Sequence, residues 1–206
     1  MPTLKLTYFD FKGRAEPSRL ALHIGGVAFE DERLSREQFG QIKASLPFQQ
    51  VPILTVDGKV VAQSEAILRY VGILSGLYPS NDAFQALLID QVVFEISDIF
   101  QLLQPSFKEQ DLEKKLGLRK SLVDVDFPKH LKALNNVIGT YGSGSFAVGK
   151  SLSIADLMVF AFGSQMKSGI MDGIPTTVFD SYSNIVKVYE TVLKHPKVVE
   201  WYSTHK

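Results

Sequence analysis

The sequence predicts an α/β domain of βαβ-α-ββα order that is followed by an all-helical domain. The first part of the chain alternates between the period of two that strands show and the 3.6-residue period of helices. An Asp57-Gly58 dipeptide between two apolar runs marks a hairpin. After a segment rich in turn formers, at 76–83, strand-like alternation ends and only helical spacing remains.

The elements of the first part follow from local patterns in chain order. Strands are predicted at 4–8, 28–34, 53–56 and 59–61, and helices at 17–26, 36–45 and 64–74. Asp57-Gly58 supplies the positive φ angles that a tight primed turn needs between the last two strands. Ser64 is predicted to cap the last of these helices. This order of elements resembles that of a thioredoxin-like domain.

The second part carries only helical patterns. Apolar residues recur at helical spacing in 84–107, 112–138, 154–169 and 179–193. Ser153 and Asp156 have the spacing of a capping box, which predicts a role in folding rather than in chemistry. We therefore expect a first domain at 1–77, a linker at 78–83 and an all-helical second domain at 84–206.

Composition narrows the function before any motif is considered. The 206 residues are 45% hydrophobic, and 22 basic residues balance 22 acidic ones, so no net charge attracts nucleic acid or an acidic membrane. The absence of cysteine excludes disulfides, thiolate metal sites and a thiol nucleophile of the protein itself. The four histidines lack acidic neighbours at ligand spacing, and no secretory leader pattern begins the chain. We expect a soluble cytosolic protein without a metal, whose sulfur chemistry comes from a ligand.

Tyr8 ends the first predicted strand, and Gly13-Arg14-Ala15-Glu16-Pro17 follows as the start of a helix. A phenol, a guanidinium and the backbone N–H groups of a helix N-terminus together favour a bound thiolate. Such a site lowers the pKa of a bound thiol from about 8.5 toward neutral. The alternatives are that Tyr8 is an ordinary strand-end aromatic and that Arg14 only pairs with an acid such as Glu16.

The chain resembles the glutathione transferase family, and most closely its Tyr-type, sigma-like branch, from about Leu4 to Trp201. The matching motifs are Tyr8-Phe9, Gly13-Arg14-Ala15-Glu16, Val51-Pro52, Gln63-Ser64 and Ser153-Ile154-Ala155-Asp156. The resemblance implies that glutathione is the co-substrate and that Tyr8 and Arg14 stabilise its thiolate. It also implies a homodimer whose helical domain forms the site of a small apolar electrophile.

The resemblance assigns two further glutathione contacts to the first domain. A cis Val51-Pro52 peptide is expected, with the Val51 main chain pairing with the cysteinyl backbone of glutathione as an added strand does. Gln63 and Ser64 are expected to hold the γ-glutamyl carboxylate at the start of a helix. A capping role and a binding role of Ser64 are compatible.

The remaining contacts implied by the resemblance lie at both ends of glutathione. Phe39 and Lys43 match positions that hold the glycyl end, although the first is usually Trp, so Phe39 lacks the indole donor and Lys43 carries more of the contact. Gln50 matches another glutathione-contacting position. Asp98 matches an acid that reaches the γ-glutamyl ammonium of the other subunit, whereas a solvated helix acid is the simpler interpretation.

The segment Gly144–Ser151 satisfies the G-x-x-x-x-G-K-[ST] pattern of phosphate-binding loops. Such a loop needs a strand before it and a helix directly after it. Here the preceding residues have helical spacing, and Phe146 and Val148 place apolar side chains in the loop. We interpret the match as accidental.

The predicted function is a glutathione S-transferase that conjugates the glutathione thiolate to small hydrophobic electrophiles. A glutathione-dependent isomerase of the prostaglandin type, or a peroxidase, is the alternative within enzymes. A non-catalytic glutathione-binding or crystallin-like structural protein is the alternative outside them. The presence of Tyr8, Arg14, Gln63 and Ser64 argues against this last class.

Overall fold

The computed structural model describes residues 2–205. The first part contains strands β1 (Leu4–Phe9), β2 (Glu30–Leu34), β3 (Ile53–Val56) and β4 (Lys59–Ala62), with helices α1 (Glu16–Ile24), α2 (Arg36–Ile42) and α3 (Ser64–Leu74). Short 3-10 turns at Gly13–Ala15 and Lys43–Ser45 adjoin α1 and α2. The predicted mixed order of strands and helices is confirmed.

The four strands form one sheet in the order β2-β1-β3-β4. Strand β1 runs parallel to β2 and antiparallel to β3, so it is hydrogen-bonded on both sides. Its Leu6 lies opposite Leu54 of β3, and both side chains are fully buried. The apolar centre of the sheet therefore fixes β1, and the end of β1 delivers Tyr8 to the site described below.

The predicted hairpin is confirmed, because β3 and β4 pair antiparallel across Asp57 and Gly58, with φ of +48° and +80°. The predicted capping by Ser64 is wrong. Gln63 occupies the N-cap position of α3 with φ of +78°, and Ser64 is already the first helical residue. The chain turns from β4 directly into the helix at Gln63, so Ser64 lies inside the helix and does not cap it. The Ser64 hydroxyl donates to Glu65 Oε2 at 2.9 Å.

The described residues of the second part form helices joined by loops, without a strand. It contains α4 (Ala83–Lys108), α5 (Leu112–Ser121), a π-helical segment (Leu122–Asp126), α6 (Phe127–Tyr141), α7 (Ile154–Lys167) and α8 (Ser183–Leu193). The core lies around α7, where Phe160 and Phe162 are buried. The predicted capping box is confirmed: Asp156 accepts hydrogen bonds from the Ser153 N–H at 2.7 Å and from the Ala147 N–H at 2.6 Å.

The chain divides into two compact units. The first ends at Asn81 and also takes the segment that begins at Pro196, while the second covers Asp82–His195. The sequence analysis assigned all of 84–206 to the second domain, and the structure differs at this end. The last helix, α9 (Pro196–Thr204), packs against α1, and its Trp201 and Tyr202 donate hydrogen bonds to Glu16.

None of the helices in the described part of the chain combines the length and apolar character that crossing a membrane would require.

Candidate active site

Tyr8 lies at the end of the central strand and is almost fully buried. Its hydroxyl oxygen accepts a hydrogen bond from the backbone N–H of Arg14, with 3.3 Å between the two atoms. Burial raises the pKa of Tyr8, and the Arg14 hydrogen bond and the charges of Arg14 and Arg19 offset this only in part. The phenol therefore keeps its proton at neutral pH and can donate it in a hydrogen bond to an anion.

Gly13 lets the backbone approach the Tyr8 hydroxyl. Its φ is +47°, and a Cβ atom built there would lie 2.6 Å from Tyr8 Oη and 2.7 Å from Phe11 Cε2. Any side chain at this position would displace the phenol or the adjacent ring. Gly13 thus shapes the site. Sequence analysis included Gly13 in a matching motif but assigned it no role.

Aromatic rings surround the phenol. Phe11 contacts the Tyr8 ring edge-on at 5.3 Å and stacks on Phe9 at 5.6 Å, yet 56% of Phe11 stays exposed. Phe39 packs edge-on against Phe9 at 5.1 Å, which brings this predicted glutathione contact to the same aromatic cluster. The site therefore presents an apolar surface beside a polar hydroxyl, the combination that an apolar substrate with one reactive polar atom needs.

Arg14 connects the phenol to the start of α3. Its Nη1 lies 3.9 Å from Glu65 Oε1, and the other carboxylate oxygen of Glu65 accepts the Ser64 hydroxyl. The acid that Arg14 pairs with is thus Glu65 and not Glu16, because the buried Glu16 pairs with Arg19. Tyr8, Arg14 and Ser64 are thereby brought together, although they come from separate parts of the sequence.

The start of α3 is suited to a carboxylate. No side chain caps this helix, and the backbone N–H groups of a helix's first turn have no partner within the helix. Gln63, whose positive φ is uncommon for a residue with a side chain, is exposed at this end. These N–H groups can bind a carboxylate, and the Ser64 hydroxyl can join them when it turns away from Glu65 Oε2.

The other predicted contacts lie as follows. The Val51-Pro52 peptide is cis, as predicted, and it directly precedes β3. Gln50 and Lys43 are exposed, and Lys43 Nζ lies 5.9 Å from the centre of the Phe39 ring. Asp98 belongs to the second unit, on α4, with an exposed side chain.

The phosphate-loop match lies between two helices. It follows α6 rather than a strand, and α7 begins only at Ile154. Ala147 and Val148 are buried, and the Ala147 N–H donates to Asp156, so the centre of the loop is anchored to the protein. The helical spacing predicted before the segment is confirmed, and the accidental nature of the match stays a prediction.

We expect Lys150→Ala to leave glutathione conjugation unchanged, because the exposed Lys150 side chain belongs to a loop without the phosphate-binding architecture. Calorimetry of the parent protein should show no magnesium-dependent ATP binding. Micromolar ATP affinity that Lys150→Ala abolishes would contradict this interpretation.

Residues 2–205 contain no group of three or more His, Cys, Asp or Glu side chains that could hold a metal ion.

Sequence analysis missed Arg19 and its pairing with Glu16. Both are buried, and together they form an ion pair of 3.3 Å beside the loop that follows Tyr8. The available signal was the position of Arg19, directly before the apolar run Leu20-Ala21-Leu22 of a predicted helix. A charge on a buried helix face needs partners.

A thioredoxin-like unit with a buried tyrosine at the end of its central strand, followed by a helical unit, is typical of a class of thiol-binding proteins. Residues 4–72 match the family model described as glutathione S-transferase, N-terminal domain, and residues 97–205 match the corresponding C-terminal domain. The chain belongs to the glutathione S-transferase family.

Individual relatives match along nearly the whole chain. Glutathione S-transferase 1 of Ascaris suum is 36% identical, over 98% of this chain and 96% of that protein. Hematopoietic prostaglandin D synthase of Gallus gallus is 33% identical, over 98% and 96%. The solved structure of prostaglandin synthase D of Nilaparvata lugens superimposes with a TM-score of 0.88 at 33% identity, covering 100% of this chain and 99% of that one.

Proposed function

We propose that this protein is a glutathione transferase that conjugates the glutathione thiolate to small hydrophobic electrophiles. The observation that carries the proposal is the buried, protonated Tyr8 hydroxyl held at 3.3 Å by the Arg14 N–H. Because the oxygen accepts from Arg14, its own proton is available for the glutathione sulfur. The family membership supports the same activity.

In this mechanism the enzyme stabilises an anion before any bond forms. Glutathione loses its thiol proton to solvent, and the Tyr8 hydroxyl donates a hydrogen bond to the resulting thiolate while Arg14 supplies positive charge. The sulfur electron pair then forms a bond to the electrophilic carbon, and the leaving group departs with the electrons of the broken bond. The chain's own groups exchange no electrons, so no redox cofactor is required.

We assign each part of glutathione to a different set of residues. The start of α3, with Gln63 and Ser64, takes the γ-glutamyl carboxylate. The Val51 main chain, beside Pro52, takes the cysteinyl backbone. Phe39 and Lys43 take the glycyl end, and Gln50, next to Val51, is a further glutathione contact. We assign glutathione to the domain at 1–77 and the electrophile to the helical domain beyond the linker at 78–83.

We further propose a homodimer in which Asp98 completes the site of the other subunit. Phe84, Leu87, Phe94 and Asp98 are all exposed, and their spacings of three, seven and four residues place them on one face of α4. An apolar face with one acid is suited to contact with a second copy in a symmetric dimer. Light scattering should then give twice the 22.9 kDa chain mass.

Asp98→Ala is expected to weaken glutathione binding by roughly 1–3 kcal/mol, because the ligand ammonium loses its partner. The defect should appear as a higher apparent KM for glutathione with kcat preserved, since Tyr8 still activates the glutathione that binds. Glu113→Ala, which removes an exposed acid of α5 in the second unit, is the control. Unchanged affinity in Asp98→Ala, or a monomer that binds glutathione normally, would contradict the assignment.

A prostaglandin-type isomerase is the second candidate function. The relative named hematopoietic prostaglandin D synthase and the solved structure of a prostaglandin synthase D, both with coverage above nine-tenths, support this candidate. We propose a sigma-like class on the resemblance of the sequence motifs alone. The same activated thiolate would serve in an isomerase. We also propose a cytoplasmic location, since glutathione keeps thiols reduced in that compartment.

The activity is tested by glutathione-affinity capture followed by conjugation of a chlorinated nitrobenzene. We expect retention on the column and formation of the thioether. Capture without turnover of this probe or of a prostaglandin endoperoxide would contradict the enzymatic proposal and favour a binding or structural role.

A further inference from the structure

Arg19 is a fully buried arginine whose hydrogen bonds converge on the loop after Tyr8. Its Nη1 donates to the Phe11 carbonyl at 2.8 Å and its Nη2 donates to the Phe9 carbonyl at 3.2 Å. Its Nε donates to Asp31 at 2.9 Å, which fixes the guanidinium to β2. The guanidinium also lies 5.8 Å from the centre of the Tyr8 ring. One side chain therefore holds the backbone on both sides of Asp10, directly after Tyr8.

Glu16 connects this arginine to the last helix. One of its carboxylate oxygens accepts from Arg19 Nη1 at 3.3 Å. The other accepts from Trp201 Nε1 at 3.2 Å and from the Tyr202 hydroxyl at 2.7 Å. Glu16 is 3% exposed, so these donors replace the water that an ionised carboxylate would otherwise need.

Tyr202 contacts the same loop a second time. Lys12 Nζ lies 4.0 Å from the centre of the Tyr202 ring, a cation–π contact between the loop and α9. The ring thus contacts the loop directly, through Lys12. The hydroxyl is connected to the loop only through Glu16, which it donates to, and Arg19, which Glu16 pairs with. These two contacts can be separated, because removal of the hydroxyl leaves the ring in place.

We infer that Glu16, Arg19 and Tyr202 form a positioning network through which the last helix holds the 9–13 loop and thereby the Tyr8 hydroxyl in its activating geometry. The step from loop to phenol is short, since Gly13 packs against Tyr8 Oη and the next residue, Arg14, donates its N–H to it. Glu16 and Tyr202 act through the loop, and Arg19 also places its charge 5.8 Å from the centre of the Tyr8 ring. None of the three touches a reacting atom. The inference rests on the proposed activation of glutathione by Tyr8.

The test compares the parent protein with Tyr202→Phe, which removes one hydrogen bond without changing any charge. A looser loop weakens the hydrogen bond from Tyr8 to the thiolate. We expect the pKa of bound glutathione, read from thiolate absorbance against pH, to rise by about 0.5, and kcat to fall roughly threefold. KM for glutathione should stay close to the parent value, because the binding contacts are elsewhere.

Controls distinguish positioning from stability. Tyr141→Phe, at an exposed tyrosine of α6 in the second unit, should leave the thiol pKa and kcat unchanged. Glu16→Gln should raise the thiol pKa as Tyr202→Phe does, and the double variant should be less than additive, because both changes break the same connection. Arg19→Lys keeps the charge but loses the forked geometry, so we expect about a tenfold loss of kcat.

The outcomes separate this inference from the function on which it rests. A parent protein that shows no thiolate absorbance with glutathione would overturn the proposed function and the network together. A parent protein that activates glutathione, with a Tyr202→Phe variant of equal thiol pKa and kcat, would overturn the network alone. A lower Tm in Tyr202→Phe with an unmoved thiol pKa would assign these residues to stability only, and would equally overturn it.

Discussion

Tyr8→Phe is expected to lower kcat for conjugation by about one to two orders of magnitude while the protein keeps its fold and much of its glutathione affinity. Phenylalanine preserves the ring contacts with Phe9 and Phe11 and removes only the oxygen. The thiolate of bound glutathione then loses the hydrogen bond from Tyr8 that stabilises it relative to the thiol. Steady-state kinetics with varied glutathione measure the effect, and the pH–activity profile should move upward.

The matched control for this substitution is Tyr182→Phe, which removes a phenol oxygen from the second unit, at the start of α8. Its kinetics should equal those of the parent. Equal activity and pH profiles in Tyr8→Phe and the parent would show that another group activates the thiol.

Asp156→Ala is expected to lower the free energy of unfolding by about 3 kcal/mol. The buried carboxylate accepts from the Ala147 N–H, the Ser153 N–H and the Ser153 hydroxyl. Alanine leaves these donors buried without acceptors and removes the cap at the start of α7. Urea denaturation at fixed protein concentration measures the loss, and a change under 1 kcal/mol would contradict this role of the capping box.

The same residue predicts a pH dependence with a definite sign. Burial raises the pKa of Asp156 to about 6 in the folded protein, from an ordinary value of 3.8. The folded state therefore holds this proton more tightly than the unfolded state, and the contribution of Asp156 to stability falls as pH rises through about 6. The difference in unfolding free energy between the parent and Asp156→Ala should be larger at pH 5 than at pH 8.

Locally encoded features could be predicted from the sequence. The hairpin follows from Asp57-Gly58, because positive φ is a property of those two residues and their neighbours. The capping box follows from Ser153 and Asp156 for the same reason. Tyr8 and Arg14 lie six residues apart, so a strand followed by a helix start was sufficient to predict that they meet.

Features that depend on distant contacts could not be predicted. The N-cap of α3 is Gln63 rather than Ser64, and this depends on a positive φ of Gln63 that the residue type does not favour. The pairing of Arg14 with Glu65, rather than with the adjacent Glu16, depends on how α3 lies against the first helix. The contact of Tyr202 with Glu16 spans 186 residues, and no local pattern announces it.

The central claim is that Tyr8 lowers the pKa of a bound glutathione thiol, and it is tested most directly by titrating the thiolate absorbance of the complex in the parent and in Tyr8→Phe. We predict a thiol pKa near neutrality in the parent and a return toward about 8.5, the ordinary value for a thiol, in the variant. A thiol pKa that is the same in both proteins, or that is not lowered in the parent, would contradict the claim.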